Sequence, residues 1–359
     1  MKKIAILVFF TVGFFVHVWA CTGLIAGKQA TVDGSVLVTY SADSHTLYGA
    51  LTSSPAADWP KGSMRSIVEW DTNKPLGEIE QVEHTYAVIG NMNEHQLTVV
   101  ESTWGGRPEL VDTTGIIDYG SLMQLALERA KTAREAIKVM TGLVKKYGYY
   151  SSGESFTIAD PNEAWILDLI GKGPGRRGAV WVAVRIPDDC IAGHANYPRI
   201  HKIPMDDKEN CLYSPDVISF AREMGYFDGL NKDFSFARAY SPADFGALRA
   251  CDARVWSFFR KYDSTMDNYL PYVNGESAEP FPLYVKPSRK LSVQDMKEAM
   301  RDHFEDTPFD MTQDVGAGPF KVPYRFRPMS FEVDGKSYCM ERAIATQQTG
   351  FTLVGQMRN

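Results

Sequence analysis

The chain contains the stretch Cys21-Thr-Gly-Leu-Ile-Ala-Gly-Lys-Gln-Ala-Thr-Val-Asp-Gly-Ser35, which predicts how the fold begins. Residues 21–27 have the composition of a β-strand, and residues 35–41 have that of a second strand. Asp33-Gly34 between them is a strong turn signal, so the two segments are predicted to form an antiparallel hairpin. Asp43 follows the second strand and is therefore expected to return beside Cys21.

The segment before this stretch has the three parts of a secretory signal. Met1-Lys2-Lys3 carries positive charge, residues 4–18 are apolar, and Trp19-Ala20 precedes the cysteine. Val18 and Ala20 suit a cleavage site, whereas the apolar run is too short to favour a membrane span. We therefore predict a signal peptide over residues 1–20, a mature chain that starts at Cys21, and export to the periplasm or the medium of a bacterium.

A cysteine at the amino terminus carries two reactive groups on one residue. The reference pKa is about 7.7–8 for the α-amine and about 8.5 for the thiol, so the amine can accept the thiol proton. Other interpretations of Cys21 stay open. Cleavage elsewhere would leave an ordinary core residue, acylation would make a lipoprotein, and oxidation would make a disulfide. Trp19 argues against acylation, because lipoproteins usually hold a small or aliphatic residue there.

The composition is that of a folded globular protein, with 359 residues, 44% of them hydrophobic and 23% charged. Removal of residues 1–20 leaves 339, and no linker or repeat divides them, so we predict one domain over 21–359. The formal net charge of −6 becomes −8 when Lys2 and Lys3 are removed. An acidic chain without a basic stripe or a basic amphipathic helix argues against nucleic-acid binding. For the same reasons, we expect the protein to associate with a membrane only if Cys21 is acylated.

The chain has five cysteines, an odd number for an exported protein: Cys21, Cys190, Cys211, Cys251 and Cys339. If Cys21 is reserved for chemistry, the other four either form two disulfides or stay free as buried thiols, and their spacing does not distinguish the two. CxxC, HExxH and GxSxG motifs are absent. We therefore predict no metal and no organic cofactor.

Blocks of strands and blocks of helices follow one another along the chain. Further strands are predicted over residues 85–89, 97–102, 155–159, 164–170, 179–185, 190–195 and 351–359. Helices are predicted through Leu122 and Ala130, from a capping box at Thr132–Glu135 to Gly148, and over residues 214–224, 242–261 and 292–303. Hairpin connections rather than βαβ crossovers predict an α+β fold, with antiparallel sheets that carry helices on their outer faces. Because the chain stops on an apolar strand, we expect it to be truncated at the C-terminus.

Several motifs along the chain resemble those of one enzyme family. The opening stretch is followed by Tyr40-Ser-Ala-Asp43-Ser44, Asn93-Glu94, Glu101-Ser-Thr103, residues 127–135, Gly153-Glu-Ser-Phe156 and His194-Ala-Asn196. Together they resemble the N-terminal-nucleophile cysteine dipeptidases, the dipeptidase A-like relatives of penicillin V acylase and bile salt hydrolase. The resemblance is strong over residues 21–200 and looser beyond. It implies a four-layer αββα Ntn-hydrolase fold with two packed antiparallel sheets, and hydrolysis of amide bonds, particularly in dipeptides.

Acyl transfer at an amide requires a nucleophile, a proton acceptor and donors for the developing oxyanion. The resemblance implies that Cys21 supplies the first two and that Asp43 orients its amine. It implies that the side-chain amide of Asn196 and the backbone N–H near Thr103 are the oxyanion donors. Without the resemblance, Asp43 would be interpreted as a turn cap, and Asn196 as a turn residue before Pro198.

Four further residues are candidates for the site. Glu101 is a candidate ligand of a substrate α-ammonium, and Arg107 is a candidate for bidentate contact with a substrate carboxylate. Their alternatives are an exposed strand carboxylate and a surface-loop arginine. Tyr40 stands where relatives often carry an arginine, so one source of a lowered thiol pKa is missing. Arg254 would supply that charge from a helix, unless it is an ordinary surface residue of the helix.

The sequence thus predicts an exported cysteine hydrolase that cleaves dipeptides and requires no cofactor. One rival uses the same chemistry on N-acyl amides, such as bile salts or penicillin V. The other rival is a non-enzymatic lipoprotein acylated on Cys21. Each of these three interpretations is compatible with a homo-oligomer.

Overall fold

The computed structural model describes residues 21–44, 49–325 and 330–359. The predicted signal peptide, residues 1–20, therefore lies outside the described residues. No helix within the described ranges is both long enough and apolar enough to cross a membrane.

The described residues form nineteen strands. In chain order they are β1 (Thr22–Ala26), β2 (Val36–Asp43), β3 (Ser53–Ser54), β4 (Ala57–Asp58), β5 (Met64–Val68), β6 (Pro75–Glu80), β7 (His84–Thr85), β8 (Val88–Ile89), β9 (Met92–Asn93), β10 (Thr98–Gly105), β11 (Gly153–Ala159), β12 (Ala164–Gly171), β13 (Ala179–Ile186), β14 (Ile191–His194), β15 (Cys211–Tyr213), β16 (Tyr284–Val285), β17 (Ser330–Val333), β18 (Lys336–Cys339) and β19 (Thr349–Met357).

The same part of the chain contains seven α-helices. They are α1 (Tyr119–Arg129), α2 (Ala133–Tyr147), α3 (Ser219–Glu223), α4 (Phe236–Tyr240), α5 (Ala253–Arg260), α6 (Leu270–Val273) and α7 (Val293–Ala299). Short 3₁₀-helices cover Pro108–Leu110, Asn231–Asp233, Ser264–Tyr269 and Val315–Phe320, and a π-helix over Ala247–Asp252 leads into α5.

The strands form two larger antiparallel sheets. The five-stranded sheet has the order β16-β14-β1-β2-β19, and the eight-stranded sheet has the order β15-β13-β12-β11-β10-β9-β8-β3. Three further two-stranded ribbons pair β17 with β18, β4 with β7 and β5 with β6. The mixed fold with antiparallel sheets confirms the predicted α+β class.

Three buried clusters connect these elements. One cluster includes inward side chains of both sheets, such as Val38 in β2 and Val182 in β13. A second joins the five-stranded sheet to helices, with Leu24 of β1 beside Trp256 of α5. The third joins the eight-stranded sheet to α1 and α2, as in the packing of Phe156 with residues of both helices. Each sheet therefore buries both of its faces.

The predicted opening hairpin is present. β1 pairs with β2 in the register Thr22↔Ser41, and Gly34 in the turn has φ +80°, which favours glycine. Gly23 is required for a different reason, because a Cβ there would lie 2.7 Å from Nε2 of His194. β1 also pairs with β14, so β1 lies in the middle of its sheet.

Three sequence predictions need correction. The segment 85–89 is not one continuous strand, because β7 ends at Thr85 and β8 covers only Val88–Ile89. The capping box at α2 is incomplete: Thr132 accepts from the Glu135 N–H, but the Glu135 carboxylate accepts from Lys131 N instead. The helices predicted over 214–224, 242–261 and 292–303 are shorter, because turns replace their first or last residues.

Asp168 of β12 anchors the segment that follows β14. Its carboxylate accepts from the Ser155 hydroxyl at 2.5 Å and from the Ile200 N–H at 2.9 Å. Burial raises the pKa of Asp168 from its ordinary 3.8 to about 6, and the two hydrogen bonds oppose the rise. The native state therefore holds this proton more tightly than the unfolded chain does.

Asp168→Asn should make the free energy of unfolding less dependent on pH. The raised pKa means that protonated Asp168 stabilises the native state below pH 3.8, and this contribution is lost as the pH rises through about 6. Between pH 4 and 7.5, the stability of the wild type relative to Asp168→Asn should fall by about 2 kcal/mol. Urea unfolding of both proteins across this range measures the difference, and parallel curves would contradict the prediction.

Candidate active site

Cys21 lies immediately before β1 and is almost completely buried. Its Sγ lies 3.4 Å from Oε1 of Glu101 and 3.8 Å from the Tyr40 hydroxyl. The backbone N–H of Asp43 also donates to the sulfur. Burial raises the pKa of the Cys21 thiol well above its usual range, and the carboxylates of Glu101 and Asp43 add to the rise. With these neighbours the thiol holds its proton.

Asp43 lies where the hairpin predicts, at the end of β2 and next to Cys21. Its carboxylate forms a buried ion pair with Arg342 and accepts from Thr349 Oγ1 at 2.6 Å. Ser41 Oγ is a third donor at 3.2 Å. Sequence reasoning missed Arg342 because 299 residues separate it from Asp43 and no local motif marks it.

Arg254 of α5 is fully buried, which excludes the surface-residue alternative. Its Nη1 donates to the Cys21 carbonyl and to Thr22 Oγ1, both at 2.7 Å. Its Nη2 donates to the Ala195 carbonyl at 2.9 Å and to Asn196 Oδ1 at 2.7 Å. Burial and the nearby Arg342 lower the pKa of Arg254 to about 10, so it stays charged at neutral pH. Its hydrogen bonds hold main-chain and amide groups around Cys21.

Asn196 and Thr103, the predicted oxyanion donors, lie side by side. Asn196 Nδ2 donates to the Thr103 carbonyl at 2.5 Å, and the Asn196 N–H donates to Ser102 Oγ at 3.2 Å. Asn196 has φ +59°, a left-handed conformation that asparagine tolerates better than most residues. The same side chain is held from the other side by Arg254.

His194 forms hydrogen bonds next to Asn196 and Ser102. Its Nδ1 lies 2.6 Å from Ser102 Oγ and its Nε2 lies 2.8 Å from Thr157 Oγ1. Burial and, to a smaller extent, the nearby Arg254 lower the pKa of His194 to about 3, so the ring is neutral. The ring thus connects β14 to the eight-stranded sheet through two hydroxyls. The motif His194-Ala-Asn196 marked this histidine, but its role required the fold.

Glu101 is buried, which excludes the alternative of an exposed carboxylate. The Tyr40 hydroxyl donates to Glu101 Oε1, the same oxygen that Cys21 Sγ contacts. A second buried carboxyl, Glu154 of β11, accepts from Thr103 Oγ1 at 2.6 Å and interacts directly with Glu101. Glu154 belongs to the motif Gly153-Glu-Ser-Phe156, but nothing in the sequence indicated its role.

Arg107 is not part of this group of contacts. Its Nε donates to the Ala239 carbonyl at 2.7 Å, and its guanidinium lies 3.8 Å from the centre of the Tyr226 ring. The other seven candidate residues converge within one network of contacts: Cys21, Tyr40, Asp43, Glu101, Thr103, Asn196 and Arg254.

The remaining cysteines that the structure describes are free thiols, of which Cys190 and Cys211 lie outside this network and Cys251 contacts Arg254. Cys190 and Cys211 are buried and Cys251 is partly buried. None of the three pairs with Cys21 or with one another, which favours the free-thiol alternative for them. Within the described ranges no group of three or more His, Cys, Asp or Glu side chains could hold a metal ion.

The chain is similar in sequence to one peptidase family and to several curated dipeptidases. A profile of Peptidase family C69 matches residues 20–359. The chain is 28% identical to a probable dipeptidase of Salmonella dublin, over 81% of this chain and 68% of the relative. It is 25% identical to a probable dipeptidase of Latilactobacillus sakei, over 81% and 62%, and 25% identical to Dipeptidase A of Lactobacillus helveticus, over 85% and 66%. The chain thus spans about two thirds of the length of these curated relatives.

Arg254→Lys should destabilise the protein, because one ammonium group cannot reach the carbonyls and side chains that the guanidinium bridges. Groups left buried without a partner cost about 1–3 kcal/mol, and we expect a loss of that size in urea unfolding. Arg260→Lys, on the same helix but paired with Asp267 nearer the surface, is the matched control. It should change stability by no more than about 0.5 kcal/mol. Equal losses of stability for the two substitutions would contradict the structural role assigned to Arg254.

Proposed function

The chain belongs to peptidase family C69, and on this premise we propose that it is an exported cysteine hydrolase that cleaves dipeptides. The mature enzyme would begin at Cys21. One observation carries the proposal: Asp43, Asn196 and Arg254, far apart in sequence, all meet at Cys21 or its immediate neighbours. The dipeptidase names of the relatives support the choice of substrate.

The proposed base is the α-amine that removal of residues 1–20 would create. The buried thiol has a raised pKa, so it needs a proton acceptor close by. A free amine, with a reference pKa of about 7.7–8, takes that proton near neutral pH. The resulting ammonium would stabilise the thiolate, and the carboxylate of Asp43 would orient the amine. The Asp43 backbone N–H already donates to the sulfur.

In the first step the sulfur of Cys21 attacks the carbonyl carbon of the peptide bond, and the amine takes the thiol proton. The Asn196 side-chain amide and the Thr103 backbone N–H would donate to the oxyanion of the tetrahedral intermediate. The ammonium then protonates the leaving nitrogen as the C–N bond breaks, leaving a thioester on Cys21. In the second step the amine takes a proton from water as the water oxygen attacks the thioester carbon. The C–S bond then breaks, the released amino acid leaves, and the ammonium returns the proton to the sulfur, so the thiol and the free amine re-form.

The packing supports the four-layer αββα Ntn-hydrolase fold as part of the proposal. One buried cluster contains side chains of both sheets, and the other two join the outer face of each sheet to helices. In such a fold Cys21 would begin a central strand facing the other sheet. The contact of Cys21 with Glu101 of β10, which belongs to the eight-stranded sheet, is consistent with this arrangement.

Processing at Cys21 should switch the activity on. A chain produced with Cys21 as its first residue is expected to hydrolyse alanyl-alanine. The chain that retains residues 1–20 should be at least about 100-fold slower, because the general base is missing. Intact mass and N-terminal sequencing identify the mature start. A diacylglycerol adduct would support the lipoprotein alternative, a start downstream of Cys21 would rule out the mechanism, and activity on N-acyl amides alone would support the acylase alternative.

Cys21→Ala should abolish hydrolysis in a folded protein. We expect kcat to fall by at least about 1000-fold, because the nucleophile and its attacking atom are removed. Cys190→Ala is the matched control: Cys190 is also a buried free thiol, but it touches Asp189 rather than the candidate site. This control should keep its activity. Turnover of alanyl-alanine, with circular dichroism to check folding, measures both variants, and an active Cys21→Ala protein would refute the proposal.

A further inference from the structure

Glu101 and Glu154 form a buried pair of carboxyl groups beside Cys21. Glu101 is 2% exposed and Glu154 is 0% exposed. They lie on adjacent strands, where Thr103 pairs with Glu154 in the register of β10 and β11. Oε1 of each carboxyl group accepts from hydroxyl or thiol donors, and the two carboxyl groups form a side-chain hydrogen bond with each other.

The surroundings of the pair destabilise the charged form of both carboxyl groups. Burial raises the pKa of both carboxyls, and repulsion by Glu101 raises that of Glu154 further. The two groups therefore share a proton in the absence of a cation, as close carboxyl pairs do. No positive charge is among the described groups that act most strongly on either residue. Such a pair attracts a positively charged group from outside the chain.

A third carboxyl group, Asp71, acts on the pair from a more exposed position. Asp71 is exposed and accepts from the Tyr119 hydroxyl at 2.9 Å. Repulsion from Asp71 contributes to the raised pKa of both Glu101 and Glu154, so its charge acts in the same region. The negative charge of Asp71 therefore favours a cation in the region of the pair.

The position of the pair identifies which cation it can bind. In a peptide substrate the α-nitrogen lies about 2.5 Å from the carbonyl carbon of the same residue. A sulfur poised for attack lies about 3–3.5 Å from that carbon. Since Cys21 Sγ is 3.4 Å from Glu101 Oε1, an α-ammonium on the attacked residue comes within reach of the Glu101 carboxyl.

We propose that Glu154 and Glu101 together bind the free α-ammonium of the substrate, and that Glu154 is thereby a residue that determines specificity for unblocked peptides. The inference rests on the proposed function, because it assumes that Cys21 attacks an amide. Glu154 has no hydrogen bond to Cys21, so it acts on the substrate rather than on the nucleophile. When the ammonium enters, the pair releases its shared proton to solvent and both carboxylates face the cation.

The test compares two substrates that differ only in the amine. Alanyl-alanine carries the α-ammonium, and propionyl-alanine has hydrogen in its place. The mature wild-type enzyme should prefer alanyl-alanine by at least about 100-fold in kcat/KM, because the analogue leaves the carboxyl pair without its cation. The KM for alanyl-alanine alone should fall as the pH rises and the pair loses its proton. Equal use of both substrates, or the same pH dependence for both, would overturn the inference.

Glu154→Gln removes one charge at nearly constant shape. It should raise the KM for alanyl-alanine by about 10- to 100-fold, the value of a charge-assisted hydrogen bond. The kcat for this substrate, and kcat/KM for propionyl-alanine, should change by less than about 3-fold. Glu128→Gln is the control, since Glu128 is a buried carboxylate on α1 paired with Arg65. An equal loss of kcat/KM for both substrates would show that Glu154 has a structural role and would refute the proposal.

A variant at the surface keeps the test decisive if Glu154→Gln does not fold. Asp71→Asn should raise the KM for alanyl-alanine by about 2- to 5-fold at low ionic strength, and the effect should vanish in about 1 M salt. An unchanged KM would count against the inference. If the mature wild type cleaves neither substrate, the proposed function itself fails. If it cleaves both equally well, amide hydrolysis stands and only the ammonium site is rejected.

Discussion

The buried guanidinium of Arg254 is the interaction on which the candidate site depends. Its hydrogen bonds connect the Cys21 carbonyl and Thr22 at the start of β1 to Ala195 and Asn196 after β14. A fully buried charge is costly unless its donors are all used, and here the main chain and an amide oxygen satisfy it. One side chain from α5 thus sets the relative position of Cys21, the proposed nucleophile, and the Asn196 amide proposed to stabilise the oxyanion.

Around Arg254, the other ionisable groups of the candidate site are buried away from water. Asp43 is paired with Arg342, His194 is neutral between two hydroxyls, and the carboxyls of Glu101 and Glu154 lie against each other. Burial raises the pKa of Cys21, so the thiol is a poor nucleophile until a base is supplied. This environment is consistent with the proposed α-amine base, which removal of residues 1–20 would create.

The sequence was most informative where chemistry and local pattern coincide. The strand, the Asp33-Gly34 turn and the second strand predicted the β1–β2 hairpin, because turn type and strand propensity are local properties. The hairpin in turn brought Asp43 next to Cys21. The pattern was less informative near β9, where two-residue strands separate β8 from β10. Strands this short carry too few residues to show a period.

The order of residues alone thus determined the α+β class, the opening hairpin and the family to which the chain belongs. Only the tertiary structure decided that Arg254 is buried rather than exposed, that Arg342 pairs with Asp43, and that Glu154 joins Glu101 beside Cys21. The physical reason is that such contacts join residues dozens to hundreds of positions apart. Their partners are set by how sheets and helices pack, and no spacing in the sequence records that packing.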